Sequence, residues 1–156
     1  MNQNKYIKMN KSLTFTFMFF LIGNFLFAQE ISKETLRAIN EGNITLLDKV
    51  ISKESLNDCF DIKNSSYNYL AISIKMKQIK SVKYFVEKGA SLEGVCTGKT
   101  PLMYAVKYGQ LEIVKYLVSA GSKIEAETSR GKSALDYAIK YDQSEIVEYL
   151  KEYLKR

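Results

Sequence analysis

The sequence predicts an all-α repeat solenoid of about four helix-turn-helix units, and three observations predict it. The run Gly98-Lys99-Thr100-Pro101-Leu102-Met103-Tyr104-Ala105 returns 33 residues later as Gly131-Lys132-Ser133-Ala134-Leu135-Asp136-Tyr137-Ala138. The match continues in register: Tyr108 returns as Tyr141, Glu112-Ile113-Val114 as Glu145-Ile146-Val147, and Tyr116-Leu117 as Tyr149-Leu150. Leu111, Ile113, Val114, Leu117 and Val118 recur at helical spacing, which gives each unit an apolar face that one helix pair cannot cover alone. A period of this length marks a stacked array in which neighbouring units bury one another.

The elements follow in chain order. Residues 1–28 hold no acidic side chain, carry Lys5, Lys8 and Lys11, and run apolar from Leu13 to Phe27, which reads as a secretory signal peptide. The apolar run is about 15 residues, short of the roughly 20 that a membrane-spanning helix needs. Cleavage is expected near Ala28, and no cysteine follows the run to take a lipid. The expected residence is the periplasm or the exterior of the cell, with no stable membrane insertion. The rest, 29–156, is of a length for one domain. Its first unit, about 30–62, is read from Leu36-Arg37-Ala38-Ile39, Gly42 and Leu46-Leu47-Asp48-Lys49-Val50-Ile51. The second, about 63–93, has Ser81 to Val86 in register with Ile113 to Val118, and Lys77 where Gly109 stands. In the third, about 94–126, Pro101 suits a first helical turn, Thr100 is a fitting cap before it, and Gly109 and Gly121 end the two helices. Small Ala105 and Ala138 let paired helices approach closely. The fourth unit, about 127–156, has Ala134 for Pro101 and Asp142 for Gly109, and its last helix ends in Lys151, Lys155 and Arg156, which complement the helix dipole. A terminal unit has no neighbour on its outer side, so a polar outer face is expected there.

The 33-residue period, Thr100-Pro101-Leu102 and the paired turn glycines resemble the ankyrin repeat family over about residues 30–156. The second unit departs from its pattern, with Asn68-Tyr69-Leu70 in place of Thr-Pro-Leu. The resemblance implies a protein-binding module, not an enzyme, without cofactors and monomeric. It also implies that partners are gripped on a concave surface made by hairpin tips and by the exposed side of each first helix. Carried onto this sequence, the tips include Ser65, Tyr67, Thr97, Lys99, Arg130 and Lys132. Lys75, Lys107 and Lys140 form a column, with Met76, Tyr108 and Tyr141 beside it. A basic face with an aromatic stripe suits an acidic protein partner. Small exported bacterial proteins of this appearance sometimes inhibit toxic enzymes, so an immunity role is one alternative and a scaffold or stability factor for an envelope enzyme is another.

Composition limits the chemistry. The chain has 23 basic and 17 acidic residues and no histidine. Three of the basic residues and none of the acids lie in the head, so the net charge of +6 falls to +3 after cleavage, and charge alone argues for neither nucleic acid nor membrane. Without histidine there is no Ser-His-Asp or Cys-His pair. The acid pairs Asp58 and Asp61, and Glu125 and Glu127, read as solvated charges. The run from Gly94 to Gly98-Lys99-Thr100 looks like a phosphate-binding loop, but three residues separate the glycines where four are required. Cys59 and Cys96 are the only cysteines. Their separation puts them on neighbouring hairpins, which leaves two readings, a disulfide or two ordinary thiols.

Overall fold

A computed structural model describes residues 30–155; the apolar head, the cleavage point near Ala28 and the terminal Arg156 lie outside the described residues. Eight helices are present among the described residues, in four pairs: α1 Lys33–Glu41 with α2 Ile44–Val50, α3 Tyr69–Lys75 with α4 Ile79–Glu87, α5 Pro101–Lys107 with α6 Leu111–Ser119, and α7 Ala134–Lys140 with α8 Ser144–Leu154. The first helices form one layer, α3 against α5 and α5 against α7, and the second helices pack behind them. This is the predicted repeat solenoid. One two-stranded antiparallel hairpin adds to it: β1 Phe60–Ile62 pairs with β2 Ser65–Tyr67 in the register Phe60 to Tyr67. The boundary expected at 62/63 falls in the turn of that hairpin, where Lys63 adopts φ 58°.

Each first helix begins with the same chemistry. Ser32, Asn68, Thr100 and Ser133 accept a hydrogen bond from the backbone N–H three residues on, which satisfies one of the donors a helix start leaves open. Asn68 therefore does the work of Thr100, and the departure of the second unit from its family pattern costs it no cap. Ser133 goes further, since the Asp136 carboxylate also accepts from the Ser133 N–H at 2.8 Å in a capping box.

Each first helix also ends the same way, with crossed bonds that take up its last carbonyls. In the third unit Gly109 N–H reaches the Val106 carbonyl at 3.0 Å and Gln110 N–H reaches Ala105 at 3.0 Å. The shared turn needs a left-handed residue, which Gly109 supplies at φ 64°. Lys77 and Asp142 adopt φ 57° and 53° at the same place, so the turn survives where glycine is absent. The Gln143 side chain also lies within 3.0 Å of where a Cβ on Gly109 would be. Glutamine recurs as the residue after the turn, and it stitches units together: Gln78 donates to the Asn40 carbonyl at 2.9 Å and Gln110 to Ile74 at 2.7 Å.

The core is one continuous cluster from Ala38 to Leu150. Ala105 and Ala138 are fully buried where the paired helices meet. Phe85 stacks on Tyr69, with ring centroids 5.5 Å apart and planes 8° from parallel. Behind this layer, Tyr84 donates to Asp48 at 3.0 Å and Lys88 pairs with the same carboxylate at 2.7 Å, joining α2 to α4.

The polar outer face expected of the last unit is only half realised. Lys151 replaces Val118 and Ser144 replaces Leu111, but Leu135, Ile139 and Val147 keep the apolar character of buried counterparts. Ile139 is 56% exposed, whereas Ile74 and Val106, at the same place in their units, are fully buried. The difference is positional: the next unit covers the inner two, and no described residue covers the last.

Candidate partner-binding face

The first helices are short and end together, so their last residues lie on one face. Lys75, Lys107 and Lys140 stand at those ends, the first and last exposed and Lys107 half-buried. The next residue in each unit is Met76, Tyr108 or Tyr141. Met76 is half-buried against the core, Tyr108 is half-buried, and Tyr141 is exposed.

Each lysine of the column lies over a tyrosine ring, Lys75 Nζ at 4.3 Å from the centroid of Tyr67, Lys107 Nζ at 5.5 Å from Tyr108 and Lys140 Nζ at 5.7 Å from Tyr141. Lys99 Nζ sits between two rings, 5.8 Å from Tyr104 and 5.7 Å from Tyr137. An ammonium over a ring face is attracted by the ring quadrupole. The rings also touch one another: Tyr67 to Tyr104 at 5.5 Å, Tyr104 to Tyr108 at 6.4 Å and Tyr137 to Tyr141 at 6.2 Å. The result is a strip of five tyrosines with four lysines resting on it.

Tyr67 corrects an expectation, because as a hairpin tip it was to be available to a partner. It is buried at the end of β2 and forms the floor under Lys75. The two hairpins that flank it are tied together. Thr97 Oγ1 accepts from the Ser66 N–H at 2.8 Å and donates to the Ser66 carbonyl at 2.7 Å, while Ser66 Oγ donates to Asp61. Beside this contact Cys59 and Cys96 are joined by a disulfide, with Cα atoms 5.7 Å apart. At the fourth tip, Arg130 and Lys132 are exposed and Ser65, at the second, is half-buried. Thr128 Oγ1 accepts from the Lys132 N–H at 3.2 Å and so holds the loop that carries both cations.

Tyr104 and Tyr137 belong to the strip but were absent from the residues expected to line it. Their signal is in the sequence, as they recur 33 residues apart inside the repeated octapeptide. Tyr104 is 5% exposed, and its ring is the hub of the strip.

Burial and charge separate the hydroxyls. Burial pushes Tyr104 up to about 12, with the neighbouring tyrosines adding to the rise. Tyr84, behind the face, is pushed up to about 12 by burial and by its bond to Asp48. Burial also raises Tyr67, but bonds with Ser65 and Lys75 and the charges of Lys75 and Lys107 outweigh it, so this hydroxyl ends below the ordinary tyrosine value. Unfolded tyrosine ionises near 10, so for Tyr84 and Tyr104 the unfolded chain loses its protons first as pH rises. Their contribution to stability is complete below about pH 10 and is lost on rising towards about 12. Base-induced unfolding followed by circular dichroism should therefore shift to higher pH when both are changed to Phe. An unchanged midpoint would disprove this account.

Among the described residues the ion pairs are Arg37 with Glu41 and Lys88 with Asp48, and neither lies on this face. Acids near its cations include Asp136, held below the usual carboxylate range because Ser133 donates to it twice, and Glu127, whose Oε2 lies 3.7 Å from where a Cβ on Gly131 would be. Lys75, Lys99, Lys107, Arg130, Lys132 and Lys140 form no ion pair with a carboxylate among the described residues. No group of His, Cys, Asp or Glu that could hold a metal ion occurs among the described residues.

The family model for ankyrin repeats, which describes three copies, matches residues 35–128 and again 93–155. The chain belongs to the ankyrin repeat family. A search of curated proteins finds no match. Ankyrin repeats are in general protein-protein interaction modules and are typically non-catalytic, so the paired helices here serve to present a surface. No helix of the ankyrin array among the described residues is long and apolar enough to cross a membrane.

Proposed function

We propose that this ankyrin repeat protein is an exported, non-catalytic module that binds an acidic protein through its first-helix face. One observation carries the reading: six cations share that face with a tyrosine strip and have no carboxylate partner among the described residues. Cations held without counter-charges attract a partner of opposite sign and fix its orientation, and rigid tyrosines supply contact area at low entropy cost. The rings also speak against single-stranded nucleic acid. Each lies against a neighbouring ring or ammonium, where base stacking would need a free ring face.

Export is supported by the apolar head of residues 1–28 and by the Cys59–Cys96 disulfide, since such bonds persist in oxidising compartments. The periplasm and the cell exterior both meet that condition.

Residues 29–156 used as bait against an envelope extract should enrich one protein stoichiometrically. Lys75→Glu, Lys107→Glu and Lys140→Glu together should weaken its binding by on the order of 100-fold or more, with steep salt dependence in the parent and little in the variant. The fold should survive with a modest loss of thermal stability, because each change removes an ammonium from a tyrosine ring and from a helix C-terminus but opens no cavity in the core. A client retained with unchanged affinity and salt dependence would refute the face assignment. Loss of the client's enzymatic activity on binding would mark an inhibitor, and retained activity a scaffold.

A further inference from the structure

We propose that the binding face has its principal subsite at its carboxy-terminal end, where two cationic depressions adjoin at Tyr137 and each takes one carboxylate from a single acidic segment of the partner. This rests on the acidic-partner reading above and adds where the partner is read and by what. The first depression, about 420 Å³, is lined by Arg130, Lys132 and Lys140 with Tyr137 and Ile139. The second, about 320 Å³, is lined by Lys99 and Arg130 with Thr97, Thr128 and Tyr137. Thr128, Arg130 and Tyr137 line both, so the two positive hollows adjoin at these residues. Asp136 lines the first hollow, and its carboxylate is occupied by the Ser133 N–H and hydroxyl.

Two adjoining cationic hollows call for two separate anions on one backbone. A lone phosphoryl group would fill only one. Arg130 is suited to the shared position, because its fork of donors can serve carboxylates on both sides. The apolar rim adds a third element. Ile139 is 56% exposed beside the first hollow, at a place where inner units bury Ile74 and Val106 completely, so it offers contact to an apolar side chain next to the acids. At the amino end of the face Lys75 is drawn closer to its ring, 4.3 Å from the centroid of Tyr67, than Lys99 or Lys140 to theirs, at 5.7 Å or more. The matching ligand is a short acidic segment with an embedded aliphatic residue.

The test is an NMR titration of residues 29–156 at low salt with a synthetic peptide of two glutamates, a leucine and two glutamates between capped glycines. Saturable shifts should concentrate at residues 97–99, 128–132 and 137–140, and a glutamine version should produce none. R130A with K140A should weaken binding at least tenfold, and K75A less than twofold. Equal weakening by K75A, or shifts spread evenly along the lysine column, would overturn the subsite while leaving the acidic-partner reading in place. Inorganic phosphate shifting the same residues as strongly as the peptide would overturn the two-carboxylate assignment. No binding of the acidic peptide would overturn both.

Discussion

Reduction of the Cys59–Cys96 disulfide is expected to lower the stability of the array by about 4 kcal/mol, the entropy that a cross-link spanning 37 residues removes from the unfolded chain. For a domain of this size the melting temperature should fall by roughly 10–20 °C. The bond closes a segment that contains the β1–β2 hairpin, the α3–α4 pair and the loop leading to α5, so it joins three successive units. Contacts in a repeat array reach only nearest neighbours. The loss should therefore be local: hydrogen exchange should quicken around residues 59–67 and 96–98, where Thr97 brackets Ser66, and change little in α7 and α8. Cys59→Ser with Cys96→Ser should reproduce the effect of reductant, and reductant should then do nothing more. Equal melting temperatures for oxidised and reduced chains would show that the bond constrains nothing the fold needs. If binding also weakens on reduction, the hairpins carried the loss, because Tyr67 and Lys99 stand on the two segments the bond joins.

Ile74→Ala should cost about 2–5 kcal/mol, while Ile139→Ala should cost about 1 kcal/mol or less. The two residues occupy the same position in their units. Ile74 is fully buried between α3 and the following helices, so truncation leaves a cavity whose lining loses its contacts. Ile139 is 56% exposed, and water already reaches the space its methyl groups would vacate. Urea unfolding of both variants measures the pair directly, with slopes near that of the parent. Similar losses would mean that Ile139 is covered in solution, by a partner or by residues outside the described chain. Against a total stability of typically 5–15 kcal/mol, the Ile74 change is large enough to threaten folding when combined with loss of the disulfide.

Much of the scaffold is legible in local chemistry. Thr100, Pro101, Gly109 and Gly121 act within a few residues of themselves, through a cap, a missing amide hydrogen and left-handed turns, and the structure puts each where that chemistry requires. The apolar spacing of α6 and α8 is local in the same sense, and so is the 33-residue return that makes stacking necessary. Asn68 shows where pattern is less informative than mechanism. It departs from Thr-Pro-Leu, yet any short acceptor side chain can cap a helix.

The basic, tyrosine-lined face was legible as a set of columns, because stacking equal units aligns equal positions. Its depth was not. Tyr67 proved to be floor and Tyr104 the hub of the strip, since burial depends on what packs above a residue and periodicity reports only the face it is on.

By itself, then, the sequence determined the repeat, its period, its caps and turns, and the family, because each of these follows from interactions between residues near in the chain. Only the tertiary structure decided that Cys59 and Cys96 meet, that Tyr137 lines two cationic hollows, and that Ile139 lies open while Ile74 does not. Those facts depend on which units lie side by side, and no residue carries that information alone.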